Sequence, residues 1–218
     1  MSRSVAFLHT VPFLVETFSK LAIEHLPGVN TFHVVDGAIL QQCFSDGVHS
    51  PKVLRRVLQQ CTLAVEAGAE IVVFTCSSTS PAVDLVRPFC EEQIMKVDEP
   101  MAERAVEIGT KIGIVTTAET TLGPSADLIK SIAERYGKSV MVDARLESDA
   151  FRARVRGLMA EHDAIIRKVC AELAMDNDVL VLAQASMAHL APSLQEEVNR
   201  PVLASPGLCM DALKRLLG

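Results

Sequence analysis

The chain alternates short apolar runs with longer segments in which apolar residues recur every three or four positions. The short runs predict buried strands, and the periodic segments predict amphipathic helices. Strands followed by helices in regular alternation are typical of a parallel sheet covered by helices, so the expected fold class is α/β. We expect strands at residues 4–10, 31–37, 70–76, 94–98, 111–117, 139–144, 178–184 and 201–205.

Helix-terminal residues support the intervening segments. Ser50 followed by Pro51 is a typical helix start, and Gly68 a typical end, so a helix is expected over residues 50–69. The segment "GAILQQCF" is interpreted instead as an exposed-looking apolar stretch, with Cys43 in a loop. The other expected helices cover residues 12–26, 79–93, 100–109, 124–136, 148–175, 188–198 and 207–217.

Length and hydrophobicity indicate a globular protein. A chain of 218 residues with 49% hydrophobic content can bury a substantial core, as one large domain or two small ones. No stretch reaches the ~18 unbroken apolar residues that a transmembrane helix needs. The N-terminal segment has neither an uninterrupted apolar region nor a small-residue cleavage site, so we expect a cytoplasmic protein without membrane association.

Charge and motifs narrow the possible ligands. The net charge of -6, with one Tyr and no Trp, disfavours a nucleic-acid surface and favours a small-molecule or protein partner. There is no GxGxxG, GxxxxGK[ST] or HExxH motif, and no CxxC pair or Cys/His cluster. We therefore expect neither a metal nor a nucleotide cofactor. The six cysteines are Cys43, Cys61, Cys76, Cys90, Cys170 and Cys209.

The stretch "IVVFTCSSTSP" places Cys76 where a strand gives way to a helix start. A helix N-terminus favours the thiolate and lowers the pKa of a cysteine, so Cys76 is the candidate nucleophile or base. If the protein is a hydrolase with a cysteine nucleophile, it needs a histidine partner for that cysteine. His9 and His189 both lie at strand-end or helix-start positions. The alternative to a catalytic role is that His9 is a strand-end histidine hydrogen-bonded to nearby backbone and that His189 is a solvated helix residue.

Small hydroxyl residues follow several of the expected strands. "EIVVFTCSSTSP", "KIGIVTTAETT" and "DVLVLAQASM" all end in such turns. Ligands of open α/β sheets bind at the carboxyl ends of the strands, near helix N-termini that attract anions. The repeated pattern predicts a site for an anion such as a carboxylate. The alternative explanation for any one of these Ser and Thr residues is that it caps the N-terminus of the following helix.

The motifs "FTCSS", "IGIVTTAETT", "VLAQASM" and "PVLASP", in this order and spacing, resemble the aspartate/glutamate/hydantoin racemase superfamily. That superfamily also includes maleate isomerases and arylmalonate decarboxylases, and the resemblance covers nearly the whole chain. It implies two flavodoxin-like lobes, each a doubly wound parallel sheet, related by pseudo-twofold symmetry with the site in the cleft between them. The implied lobes are residues 1–99 plus 206–218, and residues 100–205.

The resemblance also implies a cofactor-independent mechanism. In racemases of the superfamily, one cysteine removes the α-proton and a second returns a proton to the opposite face of the planar intermediate, while nearby donors hold the carboxylate. Cys76 matches the first cysteine of this pattern. The implied substrate-binding residues are Thr10, Thr75, Ser77, Ser78, Thr117, Thr120 and Ser186.

The second half departs from the pattern, because Gln184 stands where the second cysteine is expected. A glutamine amide donates and accepts hydrogen bonds but is no acid or base near neutral pH. Another residue could supply the second proton, the chemistry could need one thiol only, or the site could bind without turnover. The candidates for a second proton-transfer group are His9, His189, Asp98 and Glu99, although the last two also suit a helix start before Pro100.

The expected function is therefore that of a racemase or isomerase acting on a small carboxylate, without a cofactor and with Cys76 as base or nucleophile. The alternatives are a decarboxylase or lyase with one-sided protonation, and a carboxylate-binding protein without catalysis. The superfamily resemblance and the apolar segment "GAILQQCF" lead us to expect a homodimer.

Overall fold

The computed structural model describes residues 3–218, and the chain forms two compact units. Unit 1 extends to Val97 and includes Pro206–Gly218, and unit 2 is Asp98–Ser205. Each unit contains one four-stranded parallel sheet flanked by helices. The α/β fold class expected from the alternating pattern is confirmed.

Unit 1 is built around the sheet order β2-β1-β3-β4. Its central strands β1 and β3 are buried along their whole lengths, which explains their uninterrupted apolar sequences. Its elements are β1 (Ser4–His9), α1 (Leu14–His25), β2 (Asn30–Val35), α2 (Gly37–Asp46), α3 (Pro51–Glu66), β3 (Ile71–Phe74), a 3₁₀ turn (Ser77–Thr79), α4 (Ser80–Val86), a second 3₁₀ turn (Arg87–Phe89), and β4 (Gln93–Lys96).

Unit 2 has the equivalent sheet order β6-β5-β7-β8. Its elements are α5 (Glu99–Ile108), β5 (Lys111–Thr116), α6 (Glu119–Arg135), β6 (Met141–Leu146), α7 (Ser148–Val155), α8 (Met159–Leu173), β7 (Val179–Leu182), a 3₁₀ helix (Ala185–Leu190), α9 (Ala191–Val198) and β8 (Val202–Ala204). The final helix, α10 (Ser205–Leu217), follows β8 and returns the chain to unit 1.

The strand register fixes which residues meet at the carboxyl edge of each sheet. Leu8 of β1 lies opposite Phe74 of β3 in unit 1. In unit 2, Val115 of β5 lies opposite Leu182 of β7. The residues that follow these strands therefore emerge at the same edge of each sheet, and in unit 1 Thr10 and Cys76 each lie two residues beyond the last pair.

The core of unit 1 packs α2, α3 and α4 against one face of the sheet. Val57 and Cys61 of α3 are fully buried against Val72 and Phe74 of β3. In unit 2, α8 and α9 cover the corresponding strands, with Ile166, Cys170, Leu180, Leu182 and Leu194 fully buried. These apolar contacts hold the carboxyl edges of the central strands in place.

The segment "GAILQQCF" forms helix α2, so the expectation of a loop around Cys43 was wrong. The Asp36 carboxylate accepts a hydrogen bond from the Ala38 amide at 3.1 Å and caps the helix. Ile39 and Cys43, four residues apart, share the buried face. A helix of this length with only two buried positions gives a weak periodic signal in sequence.

Three other helices differ from expectation. The helical tract 148–175 is split at Gly157, whose φ of 78° ends the first part. Helix α4 stops at Val86 because Pro88 follows in a 3₁₀ turn, which places Cys90 after the helix rather than inside it. Helix α6 begins at Glu119 and includes Pro124. No helix within residues 3–218 is both long and apolar enough to cross a membrane.

Candidate active site

Cys76 lies at the carboxyl end of buried strand β3. Its backbone is extended, with φ −126° and ψ 110°, and its carbonyl accepts hydrogen bonds from the Thr79 amide at 3.1 Å and the Thr79 hydroxyl at 2.9 Å. These bonds turn the chain into a 3₁₀ turn and then into the seven-residue helix α4, which is shorter than the expected helix at 79–93. Cys76 is half-buried, so its thiol is partly accessible.

The other described thiols are less suited to chemistry. Burial raises the pKa of Cys43 to about 11, with a smaller contribution from the charge of nearby Cys76. Burial also raises the pKa of Cys61 and of Cys170 to about 12. Cys90 is half-buried, but burial raises its pKa as well. Cys76 therefore combines partial exposure with a place at the carboxyl edge of the sheet.

His9 is buried next to this edge, at 1% exposure, and both of its ring nitrogens have partners. Nδ1 lies 2.8 Å from the Thr75 hydroxyl, and Nε2 lies 2.8 Å from Nδ1 of His33. Burial, assisted by the nearby charge of His33, lowers the pKa of His9 to about 4. His9 is thus an uncharged, fully hydrogen-bonded side chain at neutral pH.

The Thr75 hydroxyl is engaged within unit 1. It lies 3.0 Å from the Leu8 carbonyl and 2.8 Å from His9, and Thr75 is buried. A hydroxyl has one proton to donate, and the Leu8 carbonyl, which can only accept, takes it. The Thr75 side chain therefore has no proton left for a substrate carboxylate, and its place in the site is beside Cys76 rather than on an anion.

Thr10 contrasts with Thr75, because its hydroxyl oxygen is buried and has no hydrogen-bond partner among the described residues. An unpaired buried hydroxyl is costly, so such a group is suited to a bound ligand. Ser77 is half-buried and Ser78 buried, both in the 3₁₀ turn that follows Cys76. The unpaired hydroxyl and the candidate thiol thus lie at the carboxyl ends of two neighbouring strands, β1 and β3.

Asp36, at the carboxyl end of β2, anchors this edge of the sheet. Its carboxylate accepts hydrogen bonds from Arg56 at 2.7 and 3.0 Å and from Gln60 at 2.8 Å. Burial opposes ionisation, but the bonds from Arg56 outweigh it and lower the pKa of Asp36. The network holds the start of α2, the helix that carries Cys43. The motif "VVDG" contains this signal, since Asp before Gly at a strand end is a typical helix cap.

Gln184 follows β7 in unit 2 and binds the residues that follow β5. Its Oε1 accepts from the Thr117 amide at 2.6 Å and from the Thr117 hydroxyl at 2.8 Å, and the Thr116 hydroxyl lies 3.3 Å away. A backbone amide can only donate, so the carboxamide oxygen must face Thr117. The Gln184 NH₂ group therefore points away from Thr117 as a donor.

The hydroxyl residues of unit 2 differ in burial. Thr117 is buried and directs both its amide and its hydroxyl to Gln184, so the protein's own amide oxygen occupies the anion cradle expected there. Thr120, in the first turn of α6, and Ser186, in the 3₁₀ helix after β7, are half-buried.

His189 belongs to a different cluster of unit 2. Its Nε2 lies 3.2 Å from both carboxylate oxygens of Asp163 on α8, and Asp163 also binds Nδ1 of His162 at 2.8 Å. Partial burial raises the pKa of Asp163, but the hydrogen bonds from His162 and His189 outweigh this effect, so the pKa is lowered. Gln184 and His189 share no hydrogen-bond partner in these contacts, so the structure gives them separate environments.

Of the acidic candidates, Asp98 is buried directly before α5 and Glu99 is the first residue of that helix. Sequence reasoning missed His33, Ser19, Asp36 and Asp163, because the hydrogen bonds of these side chains depend on how the chain folds and leave no sequence motif.

Across residues 3–218, no group of three or more His, Cys, Asp or Glu side chains is arranged to hold a metal ion.

Known proteins resemble the chain in fold. An allantoin racemase from Klebsiella pneumoniae is 18% identical, with a TM-score of 0.71 over 99% of this chain and 88% of that one. An aspartate racemase from Picrophilus torridus is 14% identical, with a TM-score of 0.74 over 100% and 95%. A glutamate racemase from Bacillus anthracis is 15% identical, with a TM-score of 0.70 over 99% and 81%.

Sequence comparison gives the family. A search of curated proteins finds no significant match. The model of the Asp/Glu/hydantoin racemase family, however, matches residues 8–213, which is nearly the whole chain and includes both strand ends described above. The resemblance read from the motifs is confirmed at this level, and the chain belongs to the Asp/Glu/hydantoin racemase family.

Proposed function

We propose that this protein is a cofactor-independent enzyme that acts on a small carboxylate, with Cys76 as its proton-transfer base or nucleophile. The observation that carries the proposal is the half-buried Cys76 at the carboxyl end of β3, with the unpaired buried hydroxyl of Thr10 at the carboxyl end of the neighbouring strand β1. Family membership and the resemblance in fold to aspartate, glutamate and allantoin racemases support the same class of chemistry.

In the proposed reaction, the Cys76 thiolate removes a proton from the carbon next to the substrate carboxylate. The negative charge then spreads onto the carboxylate oxygens, which must be stabilised by hydrogen-bond donors. The Thr10 hydroxyl is such a donor, since no described residue occupies it. Ser77 and Ser78 follow Cys76 directly and are proposed to assist from the 3₁₀ turn. Thr75 supports the thiol through its position rather than by binding the anion.

Gln184 has a different role from that of a second cysteine. Its oxygen is held by Thr117, so its NH₂ group is proposed as a hydrogen-bond donor to a carboxylate oxygen at the end of β7. Thr120 and Ser186 are proposed to contribute further hydroxyl donors. This arrangement also fits two one-thiol reactions without α-proton removal. After a C–CO₂ bond breaks, the protonated Cys76 thiol gives its proton to the carbanion on one face. Alternatively, the Cys76 thiolate adds to a double bond, the new single bond rotates, and the C–S bond breaks to restore the double bond and the thiolate.

A reaction that inverts the α-carbon needs a second proton-transfer group. His189 is the candidate in unit 2, because Asp163 accepts from its Nε2–H and leaves Nδ1 as the ring nitrogen for proton transfer. His9 is less suited to direct proton transfer, since its pKa of about 4 keeps it neutral and its ring nitrogens are occupied. Asp98 and Glu99 flank the start of α5 and are proposed to be structural.

The test is a substrate panel followed by NMR in deuterium oxide. It should contain α-amino acids, α-hydroxy acids, unsaturated dicarboxylic acids and disubstituted malonates. Loss of the α-proton signal, a change of double-bond geometry and release of carbon dioxide report racemisation, isomerisation and decarboxylation respectively. If no carboxylate that binds measurably is converted or exchanged, the enzymatic proposal is wrong.

Carboxylate binding without turnover is the second candidate function. The observation in its favour is Gln184 in place of an ionisable group, with its oxygen already held by Thr117. A binding protein predicts a measurable affinity for a carboxylate in calorimetry, with no exchange of its α-proton. The homodimer and the cytoplasmic location stay predictions from sequence.

A further inference from the structure

Four polar side chains form a continuous hydrogen-bonded chain through unit 1. Ser19 of α1 contacts Nε2 of His33 on β2 at 2.9 Å, and Nδ1 of His33 contacts Nε2 of His9 on β1 at 2.8 Å. Nδ1 of His9 then contacts the Thr75 hydroxyl at 2.8 Å. The chain thus links a half-exposed serine to the residue directly before Cys76. It uses every ring nitrogen of both histidines.

The Leu8 carbonyl assigns a direction to this chain. It lies 3.0 Å from the Thr75 hydroxyl, which donates its proton there and so accepts from the Nδ1–H of His9. The bare Nε2 of His9 then accepts from the Nδ1–H of His33, whose bare Nε2 accepts from the Ser19 hydroxyl. Each donor has one acceptor. In this assignment both histidines are neutral and carry their proton on Nδ1.

Apolar packing surrounds the two imidazoles. The rings of His9 and His33 stack at a centroid distance of 5.1 Å, and Phe7 stacks on His33 at 5.5 Å. Phe18 of α1 packs against His9 at 5.6 Å. The charged residues nearby on α1, Glu16 and Lys20, are exposed and pair with each other at 2.6 Å. No described carboxylate is hydrogen-bonded to either imidazole, which favours their neutral form.

We propose that Ser19 and His33 are positioning residues that, through His9, lock Thr75 and thereby fix the backbone that carries Cys76. This role deepens the proposed function. Its effect on catalysis rests on that function, whereas its effect on the strand end does not. The Thr75 amide also donates to the Leu8 carbonyl at 3.0 Å, so Thr75 is held by both its backbone and its side chain. With His9 uncharged, the network shapes the strand end without supplying an ion-pair partner to the thiolate.

The direct test is the tautomer of His9 and His33 in the native protein. Long-range proton–nitrogen correlation spectra of protein with isotope-labelled histidine distinguish the two tautomers and the charged form, and His33→Phe and His9→Asn assign the signals. We expect both residues in the Nδ1–H form at neutral pH. An Nε2–H form of His9, or a charged His9 at that pH, overturns the assignment. This measurement needs no substrate, so it is independent of whether the enzyme turns over.

A pair of His33 variants tests the positioning role. His33→Asn keeps an amide donor near the Nδ1 position, whereas His33→Phe keeps the stacking ring and loses the donor. We expect His33→Phe to speed alkylation of Cys76 by iodoacetamide at least about threefold, because a loosened strand end exposes the half-buried thiol. His33→Asn should stay within about twofold of the wild type, since the donor is kept.

Circular-dichroism melts of both variants control for global unfolding. Equal alkylation rates in both variants and the wild type overturn the positioning role, as does an equal increase in both variants. Failure of the proposed function has a different signature. In that case no carboxylate is turned over, while the tautomers and the His33→Phe effect on Cys76 are as expected.

Discussion

The carboxamide oxygen of Gln184 lies 2.6 Å from the backbone nitrogen of Thr117 and 2.8 Å from its hydroxyl oxygen. The two residues follow neighbouring strands, β7 and β5, so the sheet itself brings them together. The contact orients the amide with its NH₂ group away from Thr117. The position at which a second thiol was expected therefore presents a hydrogen-bond donor held by two bonds to its neighbour.

The substitution Gln184→Glu tests that donor. A carboxylate can still accept from Thr117, but it replaces the NH₂ group with an oxygen that repels an anionic substrate. We expect affinity for the carboxylate found in the panel to fall at least about tenfold, the loss of about one charged hydrogen bond. Calorimetry measures it, and Gln195→Glu, the same charge change at an exposed position of α9, should leave affinity unchanged. Equal effects of the two variants contradict the role of Gln184.

Selective alkylation tests the assignment of the reactive thiol. Burial raises the pKa of Cys43 to about 11 and of Cys61 and Cys170 to about 12, so these three remain protonated at neutral pH. Under limiting iodoacetamide, peptide mass spectrometry should find Cys76 labelled first. Cys90 is the internal comparison, since it is also half-buried but has a raised pKa. Labelling of Cys90 ahead of Cys76 contradicts the assignment of Cys76 as the reactive thiol.

The neutral state of His9 predicts a dependence of stability on pH. Its pKa is lowered from 6.5 to about 4, so between these values the unfolded chain binds a proton that the folded protein does not. Stability should therefore decrease as the pH falls from about 6.5 to about 4, by on the order of 2–3 kcal/mol from this residue.

Urea unfolding of the wild type and of His9→Asn at several pH values measures this effect. The asparagine does not titrate, so the stability difference between the two proteins should shrink as the pH falls. His33 contributes in the same direction, since burial also lowers its pKa. A difference that is constant with pH shows that His9 titrates normally.

The Asp163–His189 pair makes a prediction for any substrate whose α-carbon is inverted. His189→Gln removes the proposed second proton-transfer group, and we expect inversion to slow at least about a hundredfold. Asp163→Asn should slow it less, because it disturbs only the orientation and basicity of the ring. Chiral chromatography of the product measures inversion, and His49→Gln in unit 1 is the control. Inversion at the wild-type rate in His189→Gln assigns the pair a purely structural role.

Sequence pattern predicted the parts of the fold that depend on local apolar runs. The buried strands β1, β3, β5 and β7 lie inside the predicted segments, because continuous apolar runs are typical of strands covered on both faces. Helix α2 was missed, since it is stabilised by the Asp36 cap, and the Asp36 carboxylate is in turn held by Arg56 and Gln60. Such a network joins segments far apart in sequence and leaves no periodic signal.

In the candidate site, too, local sequence predicted some features, whereas others depend on contacts between distant segments. The motif around Cys76 predicted a thiol at a strand end, and the pairing of β1 with β3 puts Thr10 at the same edge of the sheet. The states of Thr75 and Thr117 could not be predicted, because they depend on partners in other strands, His9 and Gln184. Residue type alone indicates that a hydroxyl can bind an anion, but not whether another protein atom already occupies it.

Cys76 is proposed as the thiol that carries the reaction. Its role is measured by the rate of conversion, or of α-proton exchange in deuterium oxide, for the substrate identified in the panel, with Cys76→Ser and Cys90→Ser compared with the wild type. We expect a loss of at least about a thousandfold in Cys76→Ser, because a hydroxyl is a far weaker base and nucleophile than a thiolate. Cys90→Ser should retain the wild-type rate. Undiminished conversion or exchange by a correctly folded Cys76→Ser variant would show that another group carries the reaction.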